Sequence, residues 1–258
     1  MIALDKKILT FDIKEVHLSD HPHDISGCSF IKFYDFKKKV NAKGFTCQKE
    51  LTTVIDLTQD LDEIYQNMNR NTKYCIRKGE RDGIIVEKNN NYKQFYEMYI
   101  SFKEQKGLKS LFEIFGVGKV TLEDMKNYGT LFTASYNGEL LAGGIYLENK
   151  SIIKALLGAS KRLEVDKNKK RLVGYANRLI EWETIKYAKE KGIKEFDMGG
   201  LWSEKEAEND EKKKGINSFK LGFGGKIVNH YTYQKIYSRF YEFIYKLYTH
   251  KIFKWMAK

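Results

Sequence analysis

KEFDMGGLWSEKEAENDEKKKGINSFKLGFGGK, residues 194–226, is the stretch on which the reading of this chain turns. Glu195-Phe196-Asp197-Met198 reads as a short buried strand that runs into the glycine pair Gly199-Gly200. A long charged excursion follows, and the chain returns through Phe219-Lys220 into a second glycine cluster, Gly222-Phe223-Gly224-Gly225. Glycine lets backbone come close to backbone or to a ligand, so two such clusters flanking one lysine point to a ligand cleft. The competing reading is a pair of tight turns around a solvated loop.

The segments before this stretch supply its frame. Immediately upstream, Leu172 to Lys191 has helical spacing, with Leu172, Tyr175, Ala176, Leu179 and Trp182 inward, behind a basic loop at Lys161-Arg162 and Lys167 to Arg171. Before that, Leu131 to Tyr136 turns at Asn137-Gly138, the favoured two-residue hairpin dipeptide, into Glu139 to Leu147 and then Ser151 to Gly158, an antiparallel meander. Thr121-x-x-Asp124 opens a short helix ending near Gly129, and a loop spans Gly107 to Gly118. Tyr92, Phe95, Tyr96, Tyr99 and Phe102 line a helix whose aromatics read as core. Thr52 to Leu57 is a β-branched strand. A single helix from the capping-box pair Asp60 and Glu63 runs on into the basic half Asn69 to Arg81, is stopped by Gly83, and leads to the strand Ile84 to Glu87. The first fifty residues read as irregular strands, and His21-Pro22-His23 as a surface turn. The tail, Tyr231 to Lys258, reads as one basic amphipathic helix that packs on the domain, with contact to a membrane face as the alternative. Strands, a helix, then a strand leading into glycines is an α/β (α+β) pattern with the site in loops at strand ends.

Of 258 residues, 42% are hydrophobic and 14% aromatic, which excludes a disordered chain. Lys and Arg number 46 against 34 Asp and Glu, a net charge of +12 that favours anionic partners. Cys28, Cys47 and Cys75 form neither a disulfide framework nor a zinc pattern, and no metal constellation stands out. With no signal peptide and no transmembrane run, the expected location is the cytoplasm.

Four segments, in order, resemble the FemABX family of peptidoglycan bridge aminoacyltransferases, built on the GNAT acyltransferase fold. They are Val54-Ile55-Asp56-Leu57; Tyr74 to Gly83; Leu179-Ile180-Glu181-Trp182 through Asp197-Met198-Gly199-Gly200; and Phe219-Lys220-Leu221-Gly222-Phe223-Gly224-Gly225. The last is the most specific. The resemblance implies a GNAT-like mixed sheet flanked by helices in two domains. These would be a reduced N-terminal domain over 1–118 and a catalytic domain over 119–235, followed by the basic helix 236–258.

The resemblance also places Phe219 and Lys220 at a reaction centre, Lys220 against developing negative charge or acceptor phosphates. Asp197, a carboxylate at a strand end, is suited to position an amine or act as base. Gly199, Gly200, Gly222 and Gly224 would border the cleft, and Arg77, Lys78, Arg171 and Tyr175 would hold an anionic, nucleotide- or lipid-linked cell-wall precursor. The implied donor is aminoacyl-tRNA, with no bound cofactor. The first alternative is an acyl-CoA-dependent GNAT-type N-acyltransferase of polysaccharide or lipid metabolism, though the chain lacks the Q/R-x-x-G-x-G/A signature of acetyl-CoA enzymes. The other is a non-catalytic nucleic-acid binder resting on charge alone.

Overall fold

The Asn-Gly hairpin forms as its sequence dictates, with Asn137 and Gly138 at φ 49° and 76°, the left-handed pair of a type I′ turn. In the computed structural model, residues 1–8, 10–105, 119–163 and 166–246 are described. The strands are β1 Ile2–Ile8, β2 Phe11–His17, β3 Phe30–Phe36, β4 Thr46–Asp56, β5 Ile85–Asn89, β6 Thr130–Tyr136, β7 Glu139–Glu148, β8 Ile152–Ser160, β9 Glu195–Leu201 and β10 Lys226–Ile236. The helices are α1 Leu61–Asn67, α2 Arg70–Arg81, α3 Tyr92–Gln105, α4 Leu122–Tyr128, α5 Lys167–Glu190, α6 Glu204–Ala207, α7 Glu211–Leu221 and α8, residues 239–246. Among the described residues no helix is long and apolar enough to cross a membrane.

The chain divides into two units that interleave in sequence, whereas the sequence suggested consecutive segments parting at 118/119 and 235/236. Residues within 1–50, 119–120 and from 229 onward form one unit; the remainder, from 51 to 228, forms the other.

In the larger unit the sheet runs β4-β9-β8-β7-β6-β5 and is mixed. Every neighbouring pair is antiparallel except β8 and β9, which the crossover helix α5 joins in parallel. β7 is buried from Leu140 to Leu147, and its Gly143 leaves room for the Phe95 ring, 2.6 Å from where a Cβ would stand. α5 seals one face of the core with Val173, Ala176, Leu179, Ile180, Ile185 and Ala188. It begins at Lys167, five residues earlier than its apolar spacing suggested, because Asp166 caps it through Asn168 N and Lys169 N. The predicted capping box at Thr121 and Asp124 is present. The single helix expected from Asp60 to Arg81 is instead two. Asp60 makes no side-chain cap, and Asn69 starts α2 by accepting from Thr72 N. The predicted loop at Gly107 to Gly118 lies outside the described residues.

In the smaller unit β1 pairs with β2 antiparallel, β2 with β3 parallel and β3 with β10 antiparallel. Lys6 and Glu15 form a buried ion pair there, and Tyr34 Oη donates to Glu15. The expected tail helix from Tyr231 is corrected: Lys226–Ile236 is a strand, whose Tyr233 packs with Val16, Ile31, Phe33 and Phe36. Helix begins only at 239, where Tyr241 joins Phe11, Ile13 and Phe30 in the core. The remainder of the expected helix, 247–258, lies outside the described residues.

Gly138 and Gly224 offer a matched stability test. Both have positive φ, but a Cβ meets nothing within 4 Å at Gly138 and lies 2.4 Å from Asn67 O at Gly224. Gly138→Ala should cost about 1 kcal/mol from backbone strain, and Gly224→Ala several-fold more, because two backbones would have to separate. Urea denaturation of the two variants checks the order.

Candidate active site

β8 and β9 pair over only three positions, Ile152 with Glu195, Ile153 with Phe196 and Lys154 with Asp197. β8 then continues along β7, and β9 along β4. The strands part, leaving a wedge lined by backbone. On β9 a bulge falls opposite Thr53, between the pairs Val54–Asp197 and Thr52–Gly200. Gly199 takes it up with φ +82°, a conformation that favours glycine. A Cβ there would stand 3.5 Å from Ala155 O across the wedge and 3.3 Å from Lys220 Nζ.

Lys220 reaches the wedge from a helix. The charged excursion 201–218, which one reading made a solvated loop, is largely the helices α6 and α7, each with an aspartate or serine cap: Ser203 in a capping box for α6, Asp210 for α7. Lys220 lies in the last turn of α7 and donates from Nζ to Gly200 O at 2.7 Å. Burial pushes its pKa below the usual lysine range; the Asp197 and Glu181 carboxylates oppose that shift and Lys154 adds to it. Asp197 is buried, and its Oδ1 accepts from Thr52 Oγ1 and, at 2.8 Å, from Gly199 N. One carboxylate thus pins both strands at the bulge. Phe219 packs its ring edge-on to Phe223 at 5.5 Å, and the Arg178 guanidinium sits 5.3 Å from the Phe219 ring centre.

The other predicted glycines work differently. Gly200 continues β9 and supplies the oxygen that Lys220 holds. Gly222 O accepts from Asn69 N, and a Cβ on Gly222 would lie 2.6 Å from Thr72 Oγ1. With Gly224 against Asn67, this second cluster brings α7 onto the α1–α2 junction rather than lining the wedge. Gly222 also borders an open cavity of about 540 Å³ beside α6 and α7. Arg77 is exposed on α2, whereas Lys78 is ion-paired with Asp82 at 2.5 Å. Arg171 is exposed and donates to Asn168 Oδ1, and Tyr175 meets Tyr74 edge-on at 6.2 Å.

Sequence reasoning missed Glu181, Arg178, Tyr74 and Thr52 as site residues. Glu181 had a legible signal, since it stands four residues before Ile185 and seven before Ala188, an acid on the apolar stripe of α5. Tyr146 Oη, fully buried on β7, donates to its Oε2 at 3.1 Å. Desolvation raises the Glu181 pKa from 4.5 to about 7, against the Tyr146 hydrogen bond and the Lys220 charge, which both lower it.

That shift has a sign. A folded pKa above the unfolded one is a contribution fully present below pH 4.5 and lost as pH rises through about 7. Relative to Glu181→Gln, the wild type should lose on the order of 3 kcal/mol of stability between those limits. Urea midpoints across pH 4 to 8 measure it, and parallel curves for the two proteins would overturn the assignment.

Comparison with known proteins gives the fold its relatives. Residues 122–248 match the model of the FemAB family. FemX superposes with a TM-score of 0.62 at 15% identity, over 95% of this chain and 85% of that one. L-PGS from Bacillus licheniformis gives 0.52 at 16%, over 80% and 68%. The C-terminal domain (DUF2156) of an Agrobacterium fabrum protein assigned as a lysylphosphatidylglycerol synthetase gives 0.51 at 14%, over 80% and 67%. No curated protein matches the sequence. The family match covers α4, the meander, α5, the wedge and the Phe219-Lys220 turn, just under half of the chain, and the FemX likeness covers nearly the whole mixed α/β fold; over that stretch the chain is similar to the FemAB family, and it shares the fold of FemX.

Proposed function

We propose that this chain transfers an aminoacyl group from aminoacyl-tRNA to an amine of an anionic peptidoglycan precursor. The observation that carries the reading is the desolvated Lys220 ammonium, held by Gly200 O at the point where β8 and β9 part. The acceptor amine attacks the ester carbonyl; a C–N bond forms and the C–O ester bond breaks. The electron pair leaves with the tRNA ribose oxygen, which ends with the proton the amine gives up. Lys220 meets the oxyanion formed on the way, where a cation in a poorly hydrated site is worth more than in water. Phe219 supports that cation's helix against Phe223. Asp197 fixes the Gly199 bulge and keeps a negative charge near Lys220. Glu181, with a pKa of about 7, exchanges its proton near neutrality and so sets how much negative charge faces Lys220.

The cell-wall acceptor is preferred to a lipid one because FemX superposes over more of both chains than the two synthetase structures do. The reaction is placed in the cytoplasm, where charged tRNA is found. Acyl-CoA remains the alternative donor.

Incubation with lipid- or nucleotide-linked peptidoglycan precursor plus charged tRNA should add an amino-acid mass to the precursor, read by mass spectrometry. An acetyl mass gained from acetyl-CoA instead would replace this reading with the acyltransferase one. Lys220→Met should lower kcat by at least ~100-fold with an unchanged circular dichroism spectrum. Wild-type turnover in that variant would remove Lys220 from the mechanism.

The pH profile of kcat/KM should rise through about 7 as Glu181 ionises and fall at a pH below the ordinary lysine value as Lys220 loses its proton. Glu181→Gln should remove the acid limb, and Lys220→Arg should remove the alkaline one while keeping partial activity. A profile unaltered by either substitution would separate these groups from the rate.

A further inference from the structure

Two helices of the larger unit carry the same triplet at i, i+4 and i+7: Arg70, Tyr74 and Arg77 on α2, and Arg171, Tyr175 and Arg178 on α5. At this spacing each triplet lies along one side of its helix over about 10 Å. The helices pack closely where Gly79 lets α5 approach, with Tyr175 Cβ 3.4 Å from the position a Gly79 Cβ would take. The triplets meet at their tyrosines, Tyr74 edge-on to Tyr175. Tyr74 is 49% exposed. Arg70, Arg77 and Arg171 are exposed, and among the described residues no carboxylate is ion-paired with any of the four arginines. At the inner end Arg178 covers Phe219, and the next residue, Lys220, holds the wedge.

We propose that this face is a cradle for single-stranded RNA, which carries the 3′ end of the donor tRNA to Lys220. Bases stack on aromatic faces whatever their identity, while guanidinium groups track the phosphates and stack in turn. A face with two tyrosines between four arginines suits several consecutive nucleotides. A lone diphosphate would need cations converging on one point, with no call for exposed rings. The earlier expectation that Arg77, Arg171 and Tyr175 hold the acceptor's phosphates is thereby reassigned to the donor. The proposal rests on the reading of charged tRNA as donor.

Binding of a labelled single-stranded RNA of about ten nucleotides, followed by fluorescence anisotropy, tests it without turnover. Tyr74→Ala should weaken binding by about 5- to 100-fold and Tyr74→Phe should restore it, since stacking needs the ring and not the hydroxyl. Arg77→Ala should lower the slope of log K against log salt by about 0.7. Binding untouched by Tyr74→Ala, or full displacement of the RNA by equimolar uridine diphosphate, would overturn the cradle; the second outcome would return the face to the acceptor. Tyr74→Ala should also raise KM for charged tRNA with KM for the precursor unchanged. Transfer from charged tRNA with that KM unmoved would sink the cradle and leave the donor reading intact. RNA binding lost in Tyr74→Ala, with no transfer from any charged tRNA, would keep the cradle as an RNA site and sink the donor reading.

Discussion

β8 and β9 stay together for three residue pairs and then follow different neighbours, and the site depends on that parting. Two parallel strands that separate inside a sheet leave backbone groups that must be satisfied by something other than a ladder. Lys220 takes one of them, the carbonyl of Gly200, and Asp197 takes another, the amide of Gly199. The contacts that repair the sheet therefore also place an ammonium and a carboxylate in a crevice that strand pairing would otherwise have closed.

Holding a lysine there requires its helix to be held. α7 is short, and none of its residues is fully buried. Its position comes from the turn after it, where Gly222 bonds Asn69 and Gly224 lies against Asn67 with no side chain between the backbones. The break between α1 and α2 creates the receiving surface, since Asn69 both caps α2 and donates its amide to Gly222. Replacement of the expected single helix by two is thus linked to the placement of Lys220. On the far side, Arg178 over Phe219 joins α7 to α5, so the same helix that closes the core carries Glu181 toward the lysine.

Much of this was legible because the signals are local. Asn137-Gly138 specifies its turn through backbone sterics alone, Thr121 and Asp124 satisfy each other within one helical turn, and the apolar stripe of α5 follows from its period. The pairing of Phe219-Lys220 with the glycines on β9 was legible as a resemblance. The strand at 226–236 was not: its Tyr233 and Ile236 fall on a helical spacing by coincidence, and only pairing with β3 decides the matter. The Asp60 cap failed for a similar reason, a sequence pattern whose side chain finds no partner in the folded chain.

The sequence by itself determined the class of fold, the basic surface, the family resemblance and the lysine set between two glycine clusters, since each depends on residue identity and short-range spacing. Tertiary structure alone decided that the second glycine cluster packs on a helix junction, that Glu181 keeps its proton up to about pH 7, and that two Arg-Tyr-Arg triplets, about a hundred residues apart in sequence, share one face. Close backbone approach, desolvation and side-chain juxtaposition are properties of the space around a residue, which chain order does not encode until the strands and helices have packed.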